Sequence, residues 1–337
     1  MGTMGIRGIN SYAIVSRSDA QYHSVSPDDF FLSIANGAAS PNFPPRTLPY
    51  CVDLKRERVL FTEHDAAGFD RVCNAAFLFN DQLATATRAY SVPFERLSEL
   101  PPPPAQPPVF IYSPGRTGST LLVRVLAAAG LACASEPDIL TQIANIEQRE
   151  FRLLPADTRG NLMQAAVNGL SRAMGGGVCI KLRSQSNVRP LLLPDAAPAS
   201  RVVFMLRGAR AWALSRHRTF AEPPEMVART LRQAIDAYDK LAFAGVDFAP
   251  LWFETLESDP EAAVRACCPG VAADPAALQA VLARDSQEGT MISREAVAAS
   301  QTCDDFIAAF FKEWPGARTG ACWHPDTERV LEEVLER

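Results

Sequence analysis

A chain of 337 residues with 47% hydrophobic and 21% charged residues has the composition of a folded globular protein, which excludes disordered and fibrous classes. The length fits one elaborated α/β domain with an appendage and is enough to bury a sizeable core. The 33 Lys and Arg against 38 Asp and Glu give a net charge of −5, so no global field favours nucleic acid or an anionic membrane. An anionic ligand therefore needs a local site.

The opening MGTMGIRGINSYAIV lacks the apolar core of a secretory signal, and Ile6 breaks the myristoylation pattern. Residues 1–47 are rich in Ser, Asn, Gly and Pro and carry little periodicity, so no element is assigned there. Residues 50–63 read as two strands around a charged tip at Lys55-Arg56-Glu57, followed by a helix over 70–78. Residues 1–100 are thus expected to form a small α+β appendage packed over the ligand side of the main domain, and the run PPPPAQPP at 101–108 is expected to be a stiff linker.

Beyond the linker, residues 109–337 alternate short apolar runs with amphipathic stretches. The strands expected are 109–112, 131–135, 178–182, 201–206 and 249–253. Helices are expected over 119–129, 161–174, 210–220, 224–244, 260–267 and 275–283. Strands apolar on both faces, each returned by a helix, predict a parallel β-sheet flanked by helices, with ligands at its carboxyl edge. The longest apolar stretch, around 121–131, is interrupted by Arg124 and is too short to span a membrane. The eight cysteines include no C-x-x-C pair and are expected to be free thiols in the cytoplasm.

The segment VFIYSPGRTGSTLLVRVLAAAG reads as a buried strand, a turn and a helix whose first amides face outward, a ready anion site. Aligned on Gly118 and Thr120 with the nucleotide-triphosphatase loop GxxxxGK[ST], Ser113 stands where the first Gly should be and Ser119 where the Lys should be. The cationic role passes to Arg116. The strand at 201–206 ends in Arg207 rather than in the Asp that would orient a metal's waters, so this reading requires an anion and no metal. Residues 181–218 carry Lys181, Arg183, Arg189, Arg201, Arg207, Arg210, Arg216 and Arg218 against the single acid Asp195, an excess that points to an anion pocket. Either feature alone is equally well read as a solvated basic face or an ordinary helix cap.

Residues 113–120, SPGRTGST, resemble the 5′-phosphosulfate loop of the sulfotransferases that use 3′-phosphoadenosine 5′-phosphosulfate (PAPS). Residues 207–215, RGARAWALS, are similar to their 3′-phosphate motif, and 252–260, WFETLESDP, to a later strand-to-helix turn. Gly208 and Ala209 replace the usual Asp/Asn-Pro. The basic glycine loop that closes over the nucleotide in cytosolic aryl sulfotransferases is absent, and 285–294, DSQEGTMISR, is its candidate replacement with Arg294 as the cation.

The resemblance implies a P-loop-type fold and transfer of a sulfuryl group from PAPS to a hydroxyl or amine of a small-molecule acceptor, leaving adenosine 3′,5′-bisphosphate (PAP). It implies that Gly115, Arg116, Thr117, Gly118, Ser119 and Thr120 hold the 5′ end, Arg116 stabilises the leaving oxygen, and Arg207 and Ser215 grip the 3′-phosphate. A base must take the acceptor's proton. Glu136, following the second parallel strand and preceding Pro137, is the first candidate, with capping of the next helix as its bland alternative. His217 is the competitor; it falls about 200° round the helix from Ser215. Lys181 either assists the sulfuryl oxygens or is a solvated neck. An ATP-dependent phosphotransferase and a catalytically silent nucleotide-binding module stay open beside the sulfotransferase, and acceptor and oligomeric state are beyond the sequence.

Overall fold

The structure, a computed structural model, describes residues 8–19, 24–33, 39–150, 153–284, 304–318 and 320–337. The chain divides into two compact units. One comprises Met1–Pro108, Ala132–Leu182 and Leu192–Ser200; the other comprises Val109–Leu131, Arg183–Leu191 and Arg201–Arg337.

In the first unit, β1 (Asn10–Arg17), β2 (Phe30–Leu32), β3 (Thr47–Asp53), β4 (Arg58–His64) and β5 (Ala86–Pro93) form an antiparallel sheet in the order β2-β1-β5-β4-β3. The β3–β4 hairpin turns at the expected charged tip. There Asp53 accepts from the Arg56 amide at 3.1 Å and from the Arg56 and Arg58 guanidinium groups at 3.0 Å each, which fixes the turn from inside. Tyr50, Cys51, Leu60, Phe79, Leu83, Val25 and Phe30 make a buried cluster on this sheet. The single helix expected over 70–78 is two, α1 (Ala66–Cys73) and α2 (Leu78–Thr85). Asp65 caps α1 through the Gly68 amide at 2.7 Å, one turn earlier than the sequence pattern suggested. The N-terminal α+β portion is therefore larger than one hairpin and a helix, because β1 and β2 lie in the stretch left unassigned.

The same unit carries two parallel strands, β7 (Cys133–Ser135) and β8 (Cys179–Lys181), with Ser135 opposite Lys181. Between them come α4 (Asp138–Ala144), α5 (Ile146–Glu150) and α6 (Ala156–Ala173), and α7 (Leu192–Ala196) completes the unit. Gln142 of α4 bonds the Val52 amide at 2.8 Å and the Val52 carbonyl at 3.0 Å, tying the helix to β3. A Cβ on Gly169 of α6 would lie 3.2 Å from Phe61 and from Pro49, so the absent side chain lets the helix approach the sheet closely.

In the second unit, β6 (Val109–Tyr112), β9 (Arg201–Leu206) and β10 (Phe248–Trp252) run parallel in the order β10-β9-β6. With α3 (Ser119–Ala128), α8 (Ala209–Phe220), α9 (Pro224–Phe243), α11 (Pro260–Cys267) and α12 (Pro275–Leu282) they follow the strand–helix alternation read from the sequence, to which the structure adds α10 (Phe253–Ser258), α13 (Asp304–Arg318) and α14 (Pro325–Glu336). Every residue of β6 and nearly all of β9 is buried, and Tyr112 stacks on Phe204 with centroids 6.1 Å apart. The fold is α/β, with parallel strands flanked by helices in both units. Among the described residues no helix is long and apolar enough to cross a membrane.

Candidate functional site

Strand β6 ends at Tyr112 and the chain turns through Ser113–Gly118 into α3. Gly115, Arg116 and Gly118 take φ of +75°, +60° and +78°. Glycine enters that region freely; Arg116 does so against the clash of its Cβ, and such non-glycine outliers concentrate where a backbone is held for function. The Gly115 amide donates to Ser113 Oγ at 3.2 Å, and Ser113 Oγ lies 3.4 Å from Ser119 Oγ. The hydroxyl in the lysine's place thus closes the turn internally. Thr117 is fully buried, and its Oγ1 has no hydrogen-bond partner among the described residues.

The second expected motif comes to this loop within the same unit. Arg116 Nε donates to Ser215 Oγ on α8 at 3.1 Å, and Arg207 Nη1 approaches the Arg116 carbonyl at 3.5 Å. Arg207 forms no ion pair among the described residues, and its Nε is buried without a partner. Burial pulls its guanidinium pKa down, opposed by the fields of Glu254 and Glu257. An incompletely matched cation and an orphaned hydroxyl suit a phosphate-bearing ligand.

The third motif lies here too. The Arg207 guanidinium sits 4.3 Å from the Phe253 ring centroid, and a Cβ on Gly118 would fall 2.3 Å from a carbon of the same ring. Phe253 thus fills the space that glycine leaves. Glu254 Oε1 accepts from the Gly208 amide at 3.3 Å. Sequence spacing located this turn without showing that its aromatic residue packs against both other motifs.

Glu136 and Lys181 lie in the first unit. Glu136 follows β7 with φ +55°, a second non-glycine residue in the left-handed region, and its amide donates to the Lys181 carbonyl at 2.8 Å. Lys181 Nζ donates to Glu136 Oε1, and the lysine is 3% exposed, so it is not a solvated neck. The capping position before α4 is Pro137, with no side-chain cap bond, and the bond described for the Glu136 carboxylate goes to Lys181.

His217 accounts for itself structurally: Nδ1 lies 2.9 Å from the Glu222 carbonyl, and the ring stacks on Phe306 at 4.0 Å. The basic excess in 181–218 overstated the anion pocket. Lys181 pairs with Glu136, Arg210 with Asp304, and Arg216 with Glu222, while Arg201 donates to the Ala266 carbonyl at 2.6 Å. Their acidic and carbonyl partners are distant in sequence or fall just outside the counted window. Arg294 lies outside the described residues. Among those residues no group of three or more His, Cys, Asp or Glu is arranged to hold a metal ion.

No family model and no curated protein matches the chain. Solved structures do. The sulfotransferase domain of a Synechococcus olefin synthase is 20% identical, with 69% of this chain and 97% of that one covered at a TM-score of 0.41. A sulfotransferase from Alicyclobacillus acidocaldarius is 15% identical, covering 63% and 93% at 0.35. One from Mycobacterium avium is 12% identical, covering 75% and 86% at 0.39. All three of these structures are sulfotransferases or a sulfotransferase domain. At these identities and TM-scores the likeness carries no weight on residue roles, which rest on the geometry above.

Proposed function

We propose that the protein is a PAPS-dependent sulfotransferase acting on a small-molecule hydroxyl or amine. The observation that carries this reading is Arg207: a cation at the end of a parallel strand, without an ion pair among the described residues, set against a phosphate-type loop whose lysine is replaced by Ser119. A magnesium-nucleotide enzyme would want an acid there.

Residues 115–120 would hold the 5′-phosphosulfate, with Arg116 on the oxygen that leaves. Arg207 and Ser215 would hold the 3′-phosphate, and Arg294 would supply the covering cation. PAPS brings the sulfuryl group: the acceptor oxygen or nitrogen forms the new bond to sulfur as the bond from sulfur to the 5′-phosphate oxygen breaks, and PAP departs. Glu136 would take the acceptor's proton, with Lys181 holding the carboxylate. Among the described residues no disulfide joins the cysteines, which suits a reducing compartment, and we place the reaction in the cytoplasm.

The Lys181–Glu136 pair also favours a second reading, a nucleotide-binding protein without turnover in which the carboxylate only neutralises a buried ammonium. Thermal shift and radiolabelled transfer test both. PAP should stabilise the protein without magnesium, and label from PAPS should reach an acceptor among phenols, sugars, lipids or peptides. Stabilisation by ATP only in the presence of magnesium would turn the assignment to a phosphotransferase. PAP binding without transfer to any acceptor would support the silent module.

A further inference from the structure

Three consecutive carbonyl groups of the phosphate loop are received by side chains that follow β9. Arg216 Nη1 donates to the Pro114 carbonyl at 3.1 Å, Trp212 Nε1 to that of Gly115 at 2.8 Å, and Arg207 Nη1 reaches that of Arg116 at 3.5 Å. Among the described residues no peptide bond is cis, so each carbonyl turned toward these donors sends the next residue's N–H to the opposite edge of its peptide plane. For the first plane that N–H meets Ser113 Oγ. For the next two it is the N–H of Arg116 and of Thr117, successive amides of the kind that form an anion-binding nest.

The two stronger donors are themselves rigid. Trp212 is 1% exposed, with its ring against Phe310 at 6.4 Å. Arg216 is 7% exposed and engages both oxygens of Glu222, with Nε at 2.8 Å from Oε2, while Nη1 serves the loop. Its guanidinium also lies 5.2 Å from the Phe220 ring centroid. A group so occupied anchors the loop and is not one of the ligand's cations.

We propose that Trp212 and Arg216 are positioning residues that hold the Gly115 and Pro114 carbonyls toward α8, so that the loop amides face the nucleotide's 5′-phosphate before it arrives. This rests on the PAPS reading and adds residues that the motif comparison leaves without a role. Preorganised donors do not have to be reoriented when the anion binds.

The test is calorimetric titration of the whole chain with PAP and with adenosine 3′-monophosphate, which lacks the 5′-phosphate. Trp212→Phe keeps most of the ring and removes the donor; Arg216→Gln shortens the arm; Glu222→Gln loosens Arg216 without removing it. Each of the first two should weaken PAP by about 3- to 10-fold, the range of one hydrogen bond, and leave adenosine 3′-monophosphate within about twofold. Glu222→Gln should weaken PAP or leave it unchanged. If Trp212→Phe does not fold, the other two decide. Equal losses for both ligands, no loss in either donor variant, or tighter PAP binding by Glu222→Gln would overturn the clamp. Wild-type protein that prefers neither ligand would overturn the nucleotide reading and the clamp together, whereas a wild-type preference for PAP retained by the variants would remove the clamp alone.

Discussion

Arg207 and Lys181 are both cations at the carboxyl end of a parallel strand, and they meet burial in opposite ways. Lys181, the last residue of β8, is matched by the carboxylate of Glu136, which follows the neighbouring strand. Arg207, just past β9, has an aromatic face, one long carbonyl contact and an Nε with no partner. A buried charge that is already paired fixes the geometry of its partner. One without an ion pair retains affinity for an anion that is still to come.

The largest expected effect tests the paired end. Glu136→Gln keeps the shape and removes the proton acceptor, so turnover should fall by about 10²–10⁴-fold while PAP affinity stays near wild type. His217→Asn in parallel should be mild. A loss of PAP affinity in the Glu136 variant would mark the carboxylate as structural, whereas a lower melting temperature is expected in either case, because the substitution leaves the buried Lys181 ammonium without its carboxylate. With a phenol already ionised at assay pH the variant should recover, since that acceptor has no proton to give.

Lys181→Met should next separate the two cations by stability. It takes the Lys181 ammonium away from a largely buried carboxylate and should cost roughly 3 kcal/mol in chemical denaturation. Arg207→Met removes a half-buried charge that has no carboxylate partner among the described residues and should be close to neutral. Comparable destabilisation by both would erase the contrast.

Ligand binding should then show the reverse order. Arg207→Ala should weaken PAP by about 1.5–3 kcal/mol, the value of a hydrogen bond to a charged group, and barely affect adenosine 5′-phosphosulfate, which lacks the 3′-phosphate. Equal weakening of both ligands would remove the 3′ assignment.

A smaller effect concerns a third solution to burial, neutrality. His64 is 3% exposed, with Nε2 3.0 Å from Thr62 Oγ1 and Nδ1 2.9 Å from Thr85 Oγ1. Burial lowers its pKa from the ordinary 6.5 to about 4. The unfolded chain therefore takes up the proton first as pH falls, so the His64 contribution to stability is full above pH 6.5 and drains toward pH 4. Between pH 7 and 5 the loss should be about 2 kcal/mol, absent in His64→Gln, as read from denaturation at each pH. A His64→Gln profile as steep as wild type would place the proton uptake elsewhere.

The sequence made the phosphate loop and the Arg207–Ser215 spacing legible because they depend on residue types at fixed short offsets. The Glu136–Lys181 pair joins residues 45 apart and was visible only as two candidates. The left-handed backbone of Arg116 and Glu136 leaves no compositional trace, since neither is a glycine. Helix α4 escaped because all seven residues, DILTQIA, are buried and no polar stripe marks a period. Strand β1 escaped for the converse reason: Val15, in its apolar centre, is 71% exposed, so apolar and polar residues do not alternate. In the sequence Trp212 stands within the 207–215 motif without a role and Arg216 counts toward the anion pocket, and only their contacts show where their donors go.

The contact between Gln142 and Val52 has a consequence for solubility. Strand β3 closes one side of the antiparallel sheet, where unpaired amides and carbonyls would invite a strand from another molecule. A carboxamide offers a donor and an acceptor side by side, as a neighbouring peptide does, and at Val52 it occupies both backbone groups. The opposite border is β2, only three residues long, which gives an incoming strand little to extend. Replacing Gln142 with Leu would reopen the longer border in the middle of β3, and self-association during refolding is where that opening would show.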